Sequence, residues 1–325
     1  MAADDKTNLI IVTGREAEDW RDFEQIAQEI VRSDPAIAVH LVSPKDTAKV
    51  LDARKWKRPS VTMCIGHPGK FVPLRGPLFQ SQPIKKLDQY VRLKSAGVAT
   101  PHSARFQFGK DYDEKEWGEF VILKPLPLEL TSMGTLVRLY RTRRLKELTP
   151  ANLPEGHFLK DAPGIVQTFI DTGEYVSKWR VLTLFGEPLY STTSRSVVPR
   201  AALTADDAAI EDSDIEPRTQ RNRAANPSGD RHQLAIDEEI LAFARRIHAV
   251  FPTIPILGCD ILRRQSDGEL FALEVNAGGN VWHFSSQMAR SHRGQLGGRD
   301  KMLEQFGAWP TAARTLIKLA RQHAS

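Results

Sequence analysis

The chain has 325 residues, enough for two or three subdomains and a sizeable core, and its 41% hydrophobic, 26% charged composition is that of an ordinary globular protein. No apolar run is long enough to span a bilayer, so a membrane-spanning helix is not expected. Lysine and arginine outnumber aspartate and glutamate by 45 to 40, and a net charge of +5 suits anionic small ligands such as nucleotide phosphates or carboxylates better than nucleic acid.

The first residues, Met-Ala-Ala-Asp-Asp-Lys, lack a signal-peptide pattern, and the two cysteines, Cys64 and Cys259, lie inside apolar runs. Both read as reduced core thiols of a cytoplasmic protein. In the first third, residues 8–14, 37–42 and 60–65 read as buried strands. Helical spacing runs from about Glu16 to Val31, with Trp20, Phe23, Ile26, Ala27 and Ile30 on one face, and again over 45–53 and 83–97. Strands alternating with helices predict a parallel sheet covered on both faces. The Thr13-Gly14-Arg15 turn does not complete a dinucleotide fingerprint, so a nicotinamide role is not expected, and this third reads as scaffold with some substrate contact allowed along its strand ends.

In the middle third, residues 119–125 form a strand pattern ending in Lys124 and Pro125. A small-residue loop, Leu130-Thr131-Ser132-Met133-Gly134-Thr135, leads to a returning strand at 136–140. A lysine beside a loop of backbone N–H donors is what a polyphosphate needs, although a strand-closing lysine is often merely solvated. The basic run 141–146 reads as an exposed strand end. Residues 164–170 are another strand, leading into Asp171–Glu174. Residues 179–185 and 189–194 form a hairpin carrying Arg180, with Arg195 just beyond it. Two arginines near one site suit a carboxylate or phosphoryl group; each alone is an ordinary surface residue.

In the last third, residues 200–231 are polar and without period, either disordered or a functional flap. Amphipathic helices are expected at 233–250 (Ile236, Ile240, Phe243, Ala244, Ile247) and 309–323. Between them, apolar runs at 259–262 and 270–275 flank Ser266-Asp267-Gly268, a hairpin signal. A three-residue loop with Gly268 in the left-handed position sets Asp260 opposite Glu274, with Asn276 on the same face. Cys259, Ile261, Phe271, Leu273 and Val275 then take the core face. A two-residue loop would slip that register. Two carboxylates across a ladder repel, so they either hold a cation, for which hard oxygen ligands favour Mg²⁺, or sit solvated and idle at the strand edges. His283, between Trp282 and Phe284, reads equally as an acceptor-site base and as a buried hydrogen-bonded histidine.

The order Lys-Pro, small-residue loop, Val-Gln-x-Phe-Ile, Arg…Gly-Glu-Pro…Arg, Gly-x-Asp-Ile-Leu, Asp-Gly, Leu-Glu-Val-Asn resembles the ATP-grasp superfamily. Within it, the nearest likeness is to the glutathione synthetase and ribosomal-protein glutamate ligase branch. The resemblance is strongest over residues 119–276. It implies an α/β chain, α+β in its catalytic part: an ATP-grasp fold preceded by a Rossmann-like parallel-sheet domain. The implied boundaries are 1–98 for that first domain, 99–172 for the small lid subdomain and 173–325 for the large subdomain with the Mg-binding hairpin and the C-terminal helix.

The resemblance also implies ATP and Mg²⁺, with roles residue by residue. Lys124 would hold nucleotide phosphates beneath a lid of Ser132, Met133 and Gly134. Gln167, Phe169 and Ile170 would lie at the adenine hinge, the last two through main-chain contacts, and Glu174 at the ribose, with Asp171 in reserve. Arg180 and Arg195 would steady the transferring phosphoryl group, and Asp260, Glu274 and Asn276 would hold Mg²⁺. The chain departs from the family pattern at Lys178, where an acidic residue is usual, and after Asn276, where Ala277-Gly278-Gly279 replaces a Ser-Pro-Gly element.

The implied activity is a carboxylate–amine ligase working through an acyl-phosphate, with small-molecule or peptide substrates and a homo-oligomer allowed by kinship. An ATP-grasp kinase acting on a hydroxyl and a non-catalytic nucleotide-binding module are the alternatives.

Overall fold

The computed structural model describes residues 6–14, 19–126, 136–212, 231–278, 281–286 and 289–325. The first strands, β1 (Thr7–Val12), β2 (Ile37–Val42), β3 (Ser60–Cys64) and β4 (Leu78–Gln80), form a parallel sheet in the order β2-β1-β3-β4. Helix α1 (Asp19–Ser33) buries Phe23, Ile26 and Ile30 as its periodicity requires. The helix expected over 45–53 is instead two 3₁₀ turns, Ala48–Val50 and Lys55–Lys57. Asp52 explains the break, because its Oδ1 accepts from the N–H groups of Arg54 and Lys55 and so competes with a helical ladder. Helix α2 (Lys86–Ser95) is closed by Gly97 at φ +70.

The second sheet is antiparallel, in the order β5-β8-β6-β7, from β5 (Ser103–Arg105), β6 (Phe120–Pro125), β7 (Arg138–Arg141) and β8 (Gly164–Thr168). A short helix, α3 (Glu114–Trp117), precedes β6. The basic run after β7 is not an idle solvated strand end. Arg141 Nε donates to Asp207 Oδ1 (2.9 Å), and its Nη2 donates to the carbonyls of Leu203 and Ala205. Arg144 reaches Glu211. These arginines pin α4 (Asp207–Glu211), whose Ile210 is buried against Phe120 and Leu139. The described start of the 200–231 segment is therefore ordered by side-chain anchors that no periodicity reveals.

The third sheet is antiparallel, in the order β11-β10-β9-β12-β13, from β9 (Ser177–Leu184), β10 (Glu187–Arg195), β11 (Arg231–Leu234), β12 (Ile256–Arg263) and β13 (Leu270–Ala277). The helix expected from Gln233 begins only at Glu238 (α5, Glu238–Ala249). Residues 231–234 pair with β10 instead, and Asp237 caps the helix by accepting from the N–H groups of Glu239 and Ile240. Ile236 consequently lies outside the helix and is 58% exposed.

Helices α6 (Arg290–Gln295), α7 (Arg299–Gln305) and α8 (Ala308–His323) complete the chain. One core joins the parallel sheet, α1, α8 and the 281–284 segment, with Phe23, Tyr190, Trp282 and Leu316 at its centre. A second packs α5 on the hairpin through Ile240, Phe243, Ile247, Cys259 and Val275. Burial pushes the Cys259 thiol up to about 12 and the Cys64 thiol up to about 11, so both are inert core groups. Among the described residues, no helix is long and apolar enough to cross a membrane.

Candidate active site

Strands β12 and β13 pair Asp260 with Glu274, but by a different route from the one the turn suggests. Arg264 N donates to Glu269 O (2.8 Å) and Gly268 N to Arg264 O (2.9 Å), so the tip holds four residues, Gln265–Gly268, with Gly268 at φ +78. The ladder starts one step out, with Arg263 opposite Leu270 and Ile261 opposite Ala272. A bulge at Leu273 then restores the register, and without it Asp260 would face Leu273. The bulge also corrects the face assignment. Phe271 and Leu273 leave the core face and pack with Leu262 and Ile170, while Ala272 joins Cys259, Ile261 and Val275.

The neighbouring strands extend the pair into a row. Asp260 lies opposite Arg180 on β9, and Arg180 lies opposite Thr192 on β10. Arg180 grips Asp260 with two donors, Nη2 to Oδ2 at 2.8 Å and Nε in close contact with Oδ1. Lys178 Nζ is 3.8 Å from the same carboxylate, which is 2% exposed. Burial alone would pull the Arg180 guanidinium down, but the charge and hydrogen bond of Asp260, with smaller help from Tyr190 and Glu274, hold it above its ordinary value. Glu274 and Asn276 are half-buried beside this pair, and Asn276 faces Gly258 across the ladder. A Cβ at Gly258 would come within 3.1 Å of Arg180 Nη1 and of Val281 Cγ1. Glycine there lets the guanidinium lie across the strand.

Two carboxylates and an amide oxygen fit a hard divalent ion that keeps positions for phosphate oxygens and water. Among the described residues, no cluster of three or more histidine, cysteine, aspartate or glutamate side chains is placed to hold a metal ion.

Lys124 is buried and faces the same region from β6. Its Nζ donates to Tyr90 Oη (2.8 Å) and to Gln167 Oε1 (2.9 Å), and Tyr90 Oη donates to the carbonyl of Leu273, the bulge residue (3.0 Å). Gln167 is held in turn by donating to Ser103 Oγ (2.8 Å). Its side chain thus bridges Lys124 and Ser103. The N–H of Phe169 is given to Phe120 O (3.1 Å), and the Ile170 side chain packs with Leu262 and Phe271.

Glu174 is exposed, with its carbonyl accepting from Arg200 N (2.9 Å), and Asp171 Oδ1 accepts from Gly173 N and Arg200 Nη2 (both 2.9 Å). Arg195 does not join Arg180. It pairs with Ser177, three residues along β10 from Thr192, so alternation puts it on the other face, where it stacks on Tyr175 at 4.9 Å. Ser132, Met133 and Gly134, the expected lid, lie outside the described residues.

Three groups escaped the sequence reading. Tyr90 sits on a helix read as scaffold, and only tertiary docking brings its hydroxyl to Lys124. Gln89, beside it, accepts from Val275 N (3.0 Å) and fixes α2 on the hairpin. Arg200, at the start of an apparently structureless segment, ties Asp171 to the ring of Phe169. His283 belongs to a cluster: its ring lies 5.3 Å from His292, which lies 4.5 Å from His232, itself bonded to Ser194 Oγ.

No family model matches the sequence, and no curated protein matches it. Solved structures do. The ATP-grasp ligase PsnB complexed with precursor peptide PsnA2 and AMPPNP superposes with a TM-score of 0.50 at 13% identity, over 97% of this chain and 98% of that one. The same ligase complexed with a minimal precursor, Mg and ADP matches at 0.50 and 12% identity over the same shares. The fold is that of the ATP-grasp ligases. D-cycloserine synthetase DcsG aligns over 96% of this chain and 99% of its own, with a TM-score of 0.49 at 13% identity.

Proposed function

We propose that the chain is an ATP-dependent carboxylate–amine ligase of the glutathione synthetase and ribosomal-protein glutamate ligase type. A substrate carboxylate oxygen attacks the γ-phosphorus of ATP and ADP leaves. An amine nitrogen then attacks the acyl carbon, phosphate leaves and the amine proton is lost, forming an amide or peptide bond. The observation that carries this reading is the Glu274–Asp260–Arg180 row, a carboxylate pair beside a forked cation on the floor of an ATP-grasp fold.

Asp260, Glu274 and Asn276 would hold Mg²⁺, which supplies charge neutralisation on phosphate oxygens. Arg180 and Lys178 add fixed positive charge where negative charge develops, and Lys124, preset by Tyr90 and Gln167, supplies a third cation from β6. On this reading 1–98 is the Rossmann-like part, 99–172 the lid subdomain with Ser132, Met133 and Gly134, and 173–325 the large subdomain. Buried, unpaired Cys64 and Cys259 support a cytoplasmic enzyme.

The test is a screen of amino acids and short peptides for stimulated ADP release, with the product identified by mass. Peptides deserve early inclusion because PsnB was solved with its precursor peptide. Hydroxylamine traps an acyl-phosphate as a hydroxamate, whereas a kinase acting on a hydroxyl yields none. A folded Glu274→Ala variant should lose nucleotide turnover; unchanged turnover would remove the metal assignment.

A further inference from the structure

Resting on the metal–nucleotide reading of this site, we infer that Arg180 occupies the cation's place on Asp260, so that the site takes a divalent ion together with a polyphosphate and rejects the ion alone. The Asp260 side chain is 3% exposed, and both its oxygens already accept from Arg180. The guanidinium does not merely touch one edge of the site. Its Nη1 lies 3.1 Å from where a Cβ on Gly258 would stand, and Gly258 is the residue facing Asn276. Arg180 therefore reaches along β12 from Asp260 to Gly258, the two residues that pair with Glu274 and Asn276.

The local charge balance points the same way. Within the row itself two carboxylates, Asp260 and Glu274, meet two cations, Arg180 and Lys178, the latter 3.8 Å from Asp260, and Lys124 adds a further positive charge from β6. A bare divalent ion added to this set leaves at least two uncompensated positive charges in a half-buried site, and repulsion by the guanidinium opposes entry. A divalent ion arriving with a polyphosphate brings its own negative charge. The phosphate oxygens then offer Arg180 a second forked acceptor, so the guanidinium trades one bidentate partner for another rather than being left bare. Gly258 leaves the side chain free to make that exchange. Ion and nucleotide binding become coupled, and linkage makes the coupling reciprocal.

Mn²⁺, visible by electron paramagnetic resonance, serves as the probe on the full chain, titrated alone and with ADP. The parent should bind Mn²⁺ weakly alone and far more tightly with ADP. Arg180→Ala should tighten nucleotide-free Mn²⁺ binding by roughly tenfold or more, a typical size for coupling between sites, and shrink the ADP effect by a like factor. Arg180→Lys, which keeps the charge without the fork and guards against misfolding of the alanine variant, should fall between.

Adding Glu274→Gln to Arg180→Ala should abolish the gain, locating the ion. Lys178→Ala removes equal charge without the fork and should tighten binding less. Equal tightening by Lys178→Ala, or none by Arg180→Ala while the parent still binds Mn²⁺ with ADP, overturns the inference and leaves the ligase reading standing. ADP-dependent Mn²⁺ binding that is indifferent to Glu274→Gln overturns both.

Discussion

Tyr90→Phe removes one oxygen from a residue that no part of the motif includes. The Tyr90 hydroxyl accepts from Lys124 Nζ at 2.8 Å and donates to Leu273 O at 3.0 Å, in a buried position. Its loss costs one charge-assisted hydrogen bond, worth about 1.5–3 kcal/mol, and strands a carbonyl for about 1 kcal/mol more. Retention of Gln167 as a partner at 2.9 Å lowers the first figure, so about 2–3 kcal/mol is expected overall. For a 325-residue chain with an unfolding entropy near 2.1 cal/mol/K per residue, that lowers the Tm by roughly 3–5 °C.

The functional consequence is separable from the structural one. Lys124 loses a fixed partner, so affinity for ATP and ADP should fall severalfold while affinity for adenosine, which has no phosphates, stays within twofold. Thermal scanning and isothermal titration measure the two effects. An unchanged Tm with unchanged ATP affinity would refute the claim that Tyr90 positions Lys124. Equal losses for ATP and adenosine would reduce Tyr90 to a structural brace.

Gly258→Ala should destabilise by about 1–3 kcal/mol, the usual cost of overpacking, because the new methyl meets Arg180 and the buried Val281 at 3.1 Å. The cost should shrink when Arg180 is also alanine, and a double-mutant cycle in urea measures the coupling. Burial holds His248 down to about 4, bonded to Thr183 Oγ1 and Ile254 O. Unfolded histidine titrates near its ordinary 6.5, so below that pH the unfolded chain binds the extra proton. Its contribution is thus complete above 6.5 and lost as pH falls from 6.5 toward 4, a few kcal/mol in all. A His248→Asn variant should show a flatter fall of Tm over that window; an identical profile would remove His248 as its source.

The pairing of Asp260 with Glu274 was legible because side chains alternate strictly along strands, so a turn and a count of residues fix which carboxylates can meet. The same count missed the four-residue tip and the bulge at Leu273, two departures that cancel at Asp260 but exchange the faces of Phe271 and Leu273. Periodicity likewise found α1 and α5, since an amphipathic face is written locally, and failed at 233–234, where pairing with β10 outweighs any helical pattern.

What the amino-acid order determined by itself was therefore short-range: which residues share a strand face, which helix face is apolar, and the ordered motif that resembles an ATP-grasp chain. Tertiary structure alone decided that Arg180 lies on Asp260, that Tyr90 from a distant helix holds Lys124, and that Arg195 turns away from both. The first two contacts join residues 80 and 34 positions apart, and no local spacing records which of many possible partners a packed core will bring within 3 Å.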